Sequence, residues 1–225
     1  MKLFSGNEIK THLLKNGITE LFHANTVTTS LSFISEGGLL SRGEVEKRGL
    51  KQTPQPSDAD DKLYNIWNDI FFDSCDVHKR VCNANKYGPV CFVFSVDLLD
   101  DTSLPPIRIT KNNPFNWENN ITDNIENNYI DDISEYQKGN IAMHLTFCDC
   151  HTEIPFSSYL KKIIIDDPHL DDNDIFEKAK NSILEQLRIN NIDCELQIRH
   201  CRLCNCIKKY NSFKPKGIEY RFGIL

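Results

Sequence analysis

The sequence lacks a long apolar run. Crossing a bilayer takes roughly 18 or more apolar residues, and no stretch of the 225 approaches that, so no membrane-spanning helix is expected. The opening residues Met1-Lys2-Leu3-Phe4-Ser5-Gly6-Asn7-Glu8 turn polar at once, with no apolar core of the kind a secretory signal needs. There is no basic excess either. Lys and Arg number 26 against 32 Asp and Glu, a net charge of −6, which excludes a surface wholly given to phosphate binding but not a local basic patch. No internal repeat is present. These absences predict a cytoplasmic chain whose nine cysteines are reduced thiols or metal ligands, because disulfides are rare in that compartment.

What is present suits one globular domain. Hydrophobic residues make up 40% and charged residues 26%, enough to bury a core without covalent staples. Residues 1–17 read as a helix, with Ile9, Leu13 and Leu14 at helical spacing, and 19–24 as a short strand. Residues 26–36 read as a helix capped by Thr26 or Thr28, with Val27, Leu31 and Ile34 on one face and Gly37-Gly38 ending it. Residues 43–63, polar with two prolines, read as a long loop. Aromatics return over 64–72 (Tyr64, Trp67, Phe71, Phe72), and 88–99 is the clearest strand, an apolar run suited to a buried sheet position.

Residues 100–138 are rich in Asn and Asp and predict an acidic surface insertion, with one helix near 124–137 and little core. Strands are expected at 141–148, 159–165 and 192–199. A helix is expected over 173–189, with Ile175, Phe176, Ala179, Ile183, Leu184 and Leu187 in one stripe and acids from Asp171 to Asp174 at its start. A basic, Cys-containing tail runs over 199–225.

Three blocks carry a functional signal. The first is Leu21-Phe22-His23-Ala24-Asn25, a helix, then Glu36-Gly37-Gly38-Leu39-Leu40-Ser41-Arg42. The second is Asn68-Asp69-Ile70-Phe71-Phe72-Asp73. The third is Thr152-Glu153-Ile154-Pro155, followed by Tyr159-Leu160 and Ile163-Ile164-Ile165. In this order they resemble the DarT-like NAD-dependent ADP-ribosyltransferase toxins. Within that wider group stand the CmdT-type phage-defence toxins, which modify RNA. The resemblance runs in pieces over roughly residues 19–165 and leaves the acidic insertion unmatched. The second block departs from the family, with Asp and Cys where an Arg-containing loop is expected.

The resemblance implies an α+β fold with a split central sheet and flanking helices. It implies NAD as co-substrate, transfer of ADP-ribose to a base of single-stranded DNA or RNA, an intracellular toxic or antiviral role, and an antitoxin partner. Cleaving the nicotinamide–ribose bond leaves positive charge on the ribose, as glycoside cleavage does. A carboxylate there stabilises that charge and orients a nucleophile, a role that falls to Glu153. Without the resemblance, Glu153 reads as a solvated strand-end residue. His23 would bond a ribose hydroxyl, and the Ala24 backbone the nicotinamide amide. Asn25 and Leu39 flank them in the cofactor set. Arg42, forked and always charged, suits the pyrophosphate. Phe71 and Phe72 either stack on nicotinamide or belong to the core. Asp73, His78 and Arg80, with Asp76, form a mixed-charge stretch that shapes an acceptor site or is a solvated turn.

Two cysteine clusters remain. Cys201, Cys204 and Cys206, together with Cys148 and Cys150, offer thiolates for a structural zinc, with Cys194 and His200 as substitutes. Chance clustering of reduced thiols is the alternative. The tail interleaves Arg199, Arg202, Lys208, Lys209, Lys214, Lys216 and Arg221 with Tyr210, Phe213 and Tyr220, the mix that single-stranded nucleic acid binding uses. Two other functions stay open. One is a protein-directed ADP-ribosyltransferase or NAD glycohydrolase, and the other a non-catalytic zinc-stabilised nucleic-acid-binding module.

Overall fold

Two sheets share one corner. The structure, a computed structural model, describes residues 2–117, 125–169, 174–212 and 217–224. The chain opens with α1 (Gly6–Lys15), where the Ser5 side chain accepts from the Glu8 N–H at 3.2 Å. This helix buries Ile9 and Leu13 and leaves Leu14 outside. Strand β1 (Glu20–Asn25), helix α2 (Val27–Glu36) and the two-residue strand β2 (Gly38–Leu39) follow. Gly37 ends α2 in the left-handed region at φ 72°, a conformation in which glycine has no Cβ to clash.

The larger sheet has the order β1-β4-β8-β9, with β4 (Val90–Ser95), β8 (Leu160–Asp167) and β9 (Glu195–His200). The first two pairings are antiparallel. Strands β8 and β9 are parallel and are joined by α6 (Ile175–Ile189), the crossover that a parallel pair requires. Strand β4 reads as a continuous apolar run because both of its faces are covered. Phe92 and Phe94 enter the main core, and Cys91 and Val93 a smaller cluster with Ile164 on the opposite face. The smaller sheet has the order β3-β6-β5, with β3 (Ile70–Phe72), β5 (Ile107–Ile109) and β6 (Leu145–Phe147). Phe22 of β1 and Asp73, just past β3, exchange both backbone hydrogen bonds at 2.9 Å. That bridge makes the corner, and the central sheet is split as expected for an α+β fold.

Four expectations change. Residues 43–63 are not a loop. They form α3 (Arg42–Lys47) and α4 (Asp58–Leu63), short helices that a search for apolar periodicity misses because each is about one and a half turns. Their link is stitched to α2 by hydroxyls: Thr26 to Thr53 at 2.8 Å, the Thr53 N–H to Thr29 at 3.0 Å, and Ser32 to the Lys51 carbonyl at 2.6 Å. Residues 100–138 are not a coreless insertion. They supply β5, and Ile107, Ile109, Trp117, Tyr129, Ile130 and Tyr136 are all buried. The helix expected near 124–137 is a pair of 3-10 turns, Ile125–Asn128 and Ile133–Glu135. Residues 118–124 of that segment lie outside the described residues, as do Asp171 and Asp172 of the acidic start to α6. Leu184 also leaves the expected apolar stripe of α6, at 46% exposure.

The remaining elements are α5 (Val77–Val81), β7 (Ile154–Pro155), α7 (Cys206–Ser212) and α8 (Gly217–Phe222). Strand β7 pairs antiparallel with β2. A Cβ at Gly38 would lie 2.6 Å from the Ile154 carbonyl oxygen and 2.9 Å from the Glu153 Cβ. Glycine there lets the two short strands close, and it fixes where Glu153 stands. Among the described residues no helix is long and apolar enough to cross a membrane.

Candidate active site

A cleft of about 810 Å³, counted out to its open mouth, lies at the corner between the sheets. Strand β1 contributes His23, Ala24 and Asn25, strand β3 contributes Ile70 and Phe71, and Arg42 stands at the start of α3. The His23 Nδ1–H donates to the Phe71 carbonyl at 2.8 Å. This fixes the tautomer and leaves Nε2 as an acceptor. Nε2 is buried and without a hydrogen-bond partner among the described residues. Burial pushes the imidazole below its ordinary value of 6.5, against the opposing pull of the Phe71 carbonyl and of Asp73. A neutral ring with one lone pair in a cleft is built to accept a hydrogen bond from a hydroxyl.

Arg42 supplies the complementary chemistry. Its helix is capped by Ser41, whose hydroxyl accepts from the Glu44 N–H at 3.2 Å and donates to the Cys150 carbonyl at 2.9 Å. Nη2 is held by Asp58 at 2.8 Å and by the Thr53 carbonyl at 3.2 Å, and the guanidinium lies 5.1 Å from the centre of the Trp67 ring. Nε and Nη1 are buried with no hydrogen-bond partner among the described residues. Two free donors on a fork that is already anchored suit an anion.

Sequence reasoning missed much of the wall. Gln55, Ser57 and Asp61 come from the segment read as a loop, and Tyr87, Phe115 and His144 from segments assigned no role. A polar chain runs along this wall. His144 Nδ1 lies 3.0 Å from Asp73 Oδ1, His144 Nε2 lies 3.0 Å from Asn113 Nδ2, and the Tyr87 hydroxyl lies 3.2 Å from the Asn113 amide. Burial pushes Asp61 and Asp69, both lining the cleft, up to about 6. Raised carboxyls in a cleft are a recurrent mark of functional sites. No local spacing signals them, because they converge only through the fold.

Of the residues singled out in the sequence, His23, Ala24, Asn25, Arg42, Phe71 and Asp73 line the cleft. Phe72 does not. It alternates with Phe71 to the other face of β3 and packs in the core against Phe94 and Phe147. Leu39 is likewise wholly buried in the core, and its neighbour Leu40 reaches the cleft instead. Glu153 precedes β7, one step beyond the Leu39–Ile154 pair, and is absent from the cleft lining. Its carboxylate is 3.2 Å from Arg48 Nη2, and Arg48 also binds Glu36 and Glu44. Arg48 follows α3, in the segment whose polar sequence predicts a loop.

His78 and Arg80 leave the acceptor stretch. Arg80 is exposed and lines a separate surface groove with Asp76 and Lys79. His78 is buried, 3.0 Å from Asp166 and 3.3 Å from the Cys206 sulfur. With Cys201, Cys204 and Cys206 it forms a group whose ligand atoms all lie within 4.8 Å of one another. Cys148 and Cys150 are not part of that group. They contact the backbone carbonyls of Thr146 and Thr152. The substitutes also stay out. Cys194 contacts the Glu195 carbonyl, and His200 stacks on His169 beside Asp167. The tail is less of a cationic surface than its sequence implies. Tyr210 and Arg221 are buried, and Arg199 pairs with Asp76 and Asp166. Phe213, Lys214 and Lys216 lie outside the described residues.

No protein-family model and no curated protein matches the chain. Solved structures of DarT from Thermus sp. 2.9 are similar to it. One, in complex with ADP-ribosylated ssDNA, has a TM-score of 0.49 at 13% identity and covers 81% of this chain and 95% of that one. Another, in complex with NAD+, has a TM-score of 0.43 at 13% identity and covers 81% of this chain and 96% of that one.

Proposed function

We propose that this chain is an NAD-dependent mono-ADP-ribosyltransferase that modifies a base of single-stranded DNA or RNA. The observation that carries the reading is the pairing of unmet groups in one cleft. The buried acceptor His23 Nε2 and the buried donors Arg42 Nε and Nη1 have no partner among the described residues. A dinucleotide offers the reciprocal chemistry, a ribose hydroxyl that donates and a pyrophosphate that accepts. Phe71, half-buried on the cleft wall, offers a ring face for a flat heterocycle. The motif order of the three sequence blocks supports the same reading.

Glu153 is assigned the catalytic carboxylate. When the nicotinamide–ribose bond breaks, nicotinamide leaves with the bonding pair. A base nitrogen or exocyclic amine then supplies the pair for the new bond to the ribose carbon and gives up a proton. In this reading the Glu153 carboxylate stabilises the cationic ribose and receives that proton. Arg48 pairs with this carboxylate at 3.2 Å. Asp73, beside His144 on the wall, is assigned to shaping the acceptor site. The chain acts as an intracellular toxin or antiviral effector, held in check by an antitoxin protein.

The test is transfer of label from NAD to single-stranded DNA, RNA or bulk protein, comparing wild type with Glu153→Gln. Label on nucleic acid that the variant loses supports the reading. Label on protein replaces it with a protein-directed transferase, and untouched NAD under all conditions overturns it.

A further inference from the structure

We propose that His78, Cys201, Cys204 and Cys206 form a structural zinc site that fastens the C-terminal helices to the body of the fold. The four ligand atoms lie within 4.8 Å of one another. Tetrahedral bonds of about 2.0–2.3 Å place zinc ligand atoms roughly 3.4–3.8 Å apart, so shifts of about 1 Å or less complete the site, closing its wider separations and opening the Cys204–Cys206 pair. His78 Nε2 already lies 3.3 Å from the Cys206 sulfur, and the Cys204 and Cys206 sulfurs are 2.8 Å apart. His78, Cys201 and Cys206 are buried and Cys204 is half-buried. Four protein ligands leave no open position, which marks a structural rather than a catalytic zinc.

A shell of further contacts orients the histidine. His78 Nδ1 lies 3.0 Å from Asp166 Oδ2, which also accepts from the Tyr210 hydroxyl at 2.6 Å, while Arg199 donates to Asp166 Oδ1 at 3.0 Å. Arg199 also binds Asp76, whose carboxylate caps α5. A carboxylate on the far nitrogen of a histidine holds the tautomer whose other nitrogen faces a metal. Asp166 is 1% exposed, and a buried carboxylate kept for this purpose has a clear reason to be there. Three ligands lie between β9 and the start of α7, and the fourth on α5, far away in the sequence. The metal therefore closes a long-range link. Helices α7 and α8 supply Lys209, Ser212, Tyr220 and Arg221 to a second cleft that shares Gln55, Ser57, Tyr87 and Phe115 with the first. The zinc would set that wall.

The experiment is metal analysis of the full chain purified under reducing conditions without added metal. The expected content is about one zinc per chain, falling below roughly a tenth of that in Cys206→Ser and His78→Gln, and unchanged in Cys148→Ser and Cys150→Ser. Asp166→Asn should weaken zinc binding roughly 10–100-fold in competition with a chelator. If the ligand variants do not fold, cobalt(II) incorporated into the wild type should give the absorption of a tetrahedral thiolate site. Wild type free of metal, or showing a Cys204–Cys206 disulfide by mass, overturns the proposal. So does zinc retained without Cys206 and His78, or lost without Cys148 or Cys150. None of these readouts depends on NAD, so the zinc site and the transferase reading can fail separately.

Discussion

Replacing Asp61 by Asn should stabilise the protein at neutral pH. Asp61 sits on α4 at the cleft wall, where the Ser57 hydroxyl donates to it at 3.1 Å. Burial raises its carboxyl from 3.8 to about 6, with Arg42 opposing and Asp58 and Asp60 adding to the rise. A group whose folded value is raised binds more protons in the folded chain between those two values. Stability therefore falls as pH climbs from about 4 to about 6 and stays low above that. Two units correspond to about 3 kcal/mol. The side chain is only partly buried, so solvent screening reduces this to about 1–2 kcal/mol. Asn keeps the shape and the contact to Ser57 without the charge. Urea unfolding at pH 7 should show Asp61→Asn more stable by that amount, and the gap should close by pH 4. A variant no more stable than wild type at pH 7, or a gap independent of pH, would refute the argument that this carboxyl is held in the cleft at a cost. Such a cost is tolerated where a group has work to do.

Other outcomes follow from the same geometry. Glu153→Gln should lower transfer by about 10²–10⁴-fold with stability within ~1 kcal/mol of wild type, because its pair with Arg48 is partly exposed; a melting shift as large as a core mutant's would show a structural role instead. Arg42→Lys keeps the charge but loses the fork, and should raise the NAD dissociation constant about 10-fold or more; unchanged affinity by calorimetry would remove Arg42 from the site. NAD affinity should hold from pH 8 down through 6.5, because His23 is pushed below its ordinary value and stays an acceptor. A loss centred at or above 6.5 would contradict that. Gly38→Ala should cost about 1–3 kcal/mol, since its Cβ would meet the Ile154 carbonyl at 2.6 Å. A denaturation midpoint equal to wild type would mean that β2 and β7 do not pack this closely.

The elements legible in the sequence were those whose pattern is local. β4 is a run of apolar residues because both faces are covered, and α6 shows a stripe because one face is covered. His23 and Arg42 were singled out by motif, and the fold brings both to one cleft. The segment 43–63 was illegible because two helices of six residues each carry too few turns to show a period. Their order comes from threonine and serine hydroxyls that reach across from α2. The insertion misled by composition. Among its described residues Asp100, Asn112, Asn116, Asp131 and Asp132 are exposed, while Ile107, Ile109 and Ile130 are enough to extend the smaller sheet and its core.

The cysteines show where sequence spacing stops being informative. Cys148-x-Cys150 and Cys204-x-Cys206 are the same pattern, and both invite a metal. The fold separates them. In the first pair, Cys148 and Cys150 each turn to a carbonyl of their own strand or turn. In the second, Cys206 meets a histidine 128 residues away. His78 in turn was read as an acceptor-site residue because its neighbours Asp73 and Asp76 are charged. Asp73 does face the cleft, but the chain then enters α5 and carries His78 to the opposite face of the sheet, where Asp166 holds it. A metal site is decided by which donors converge and by what orients them, and here the orienting carboxylate, Asp166 on β8, is as much part of the site as the thiols.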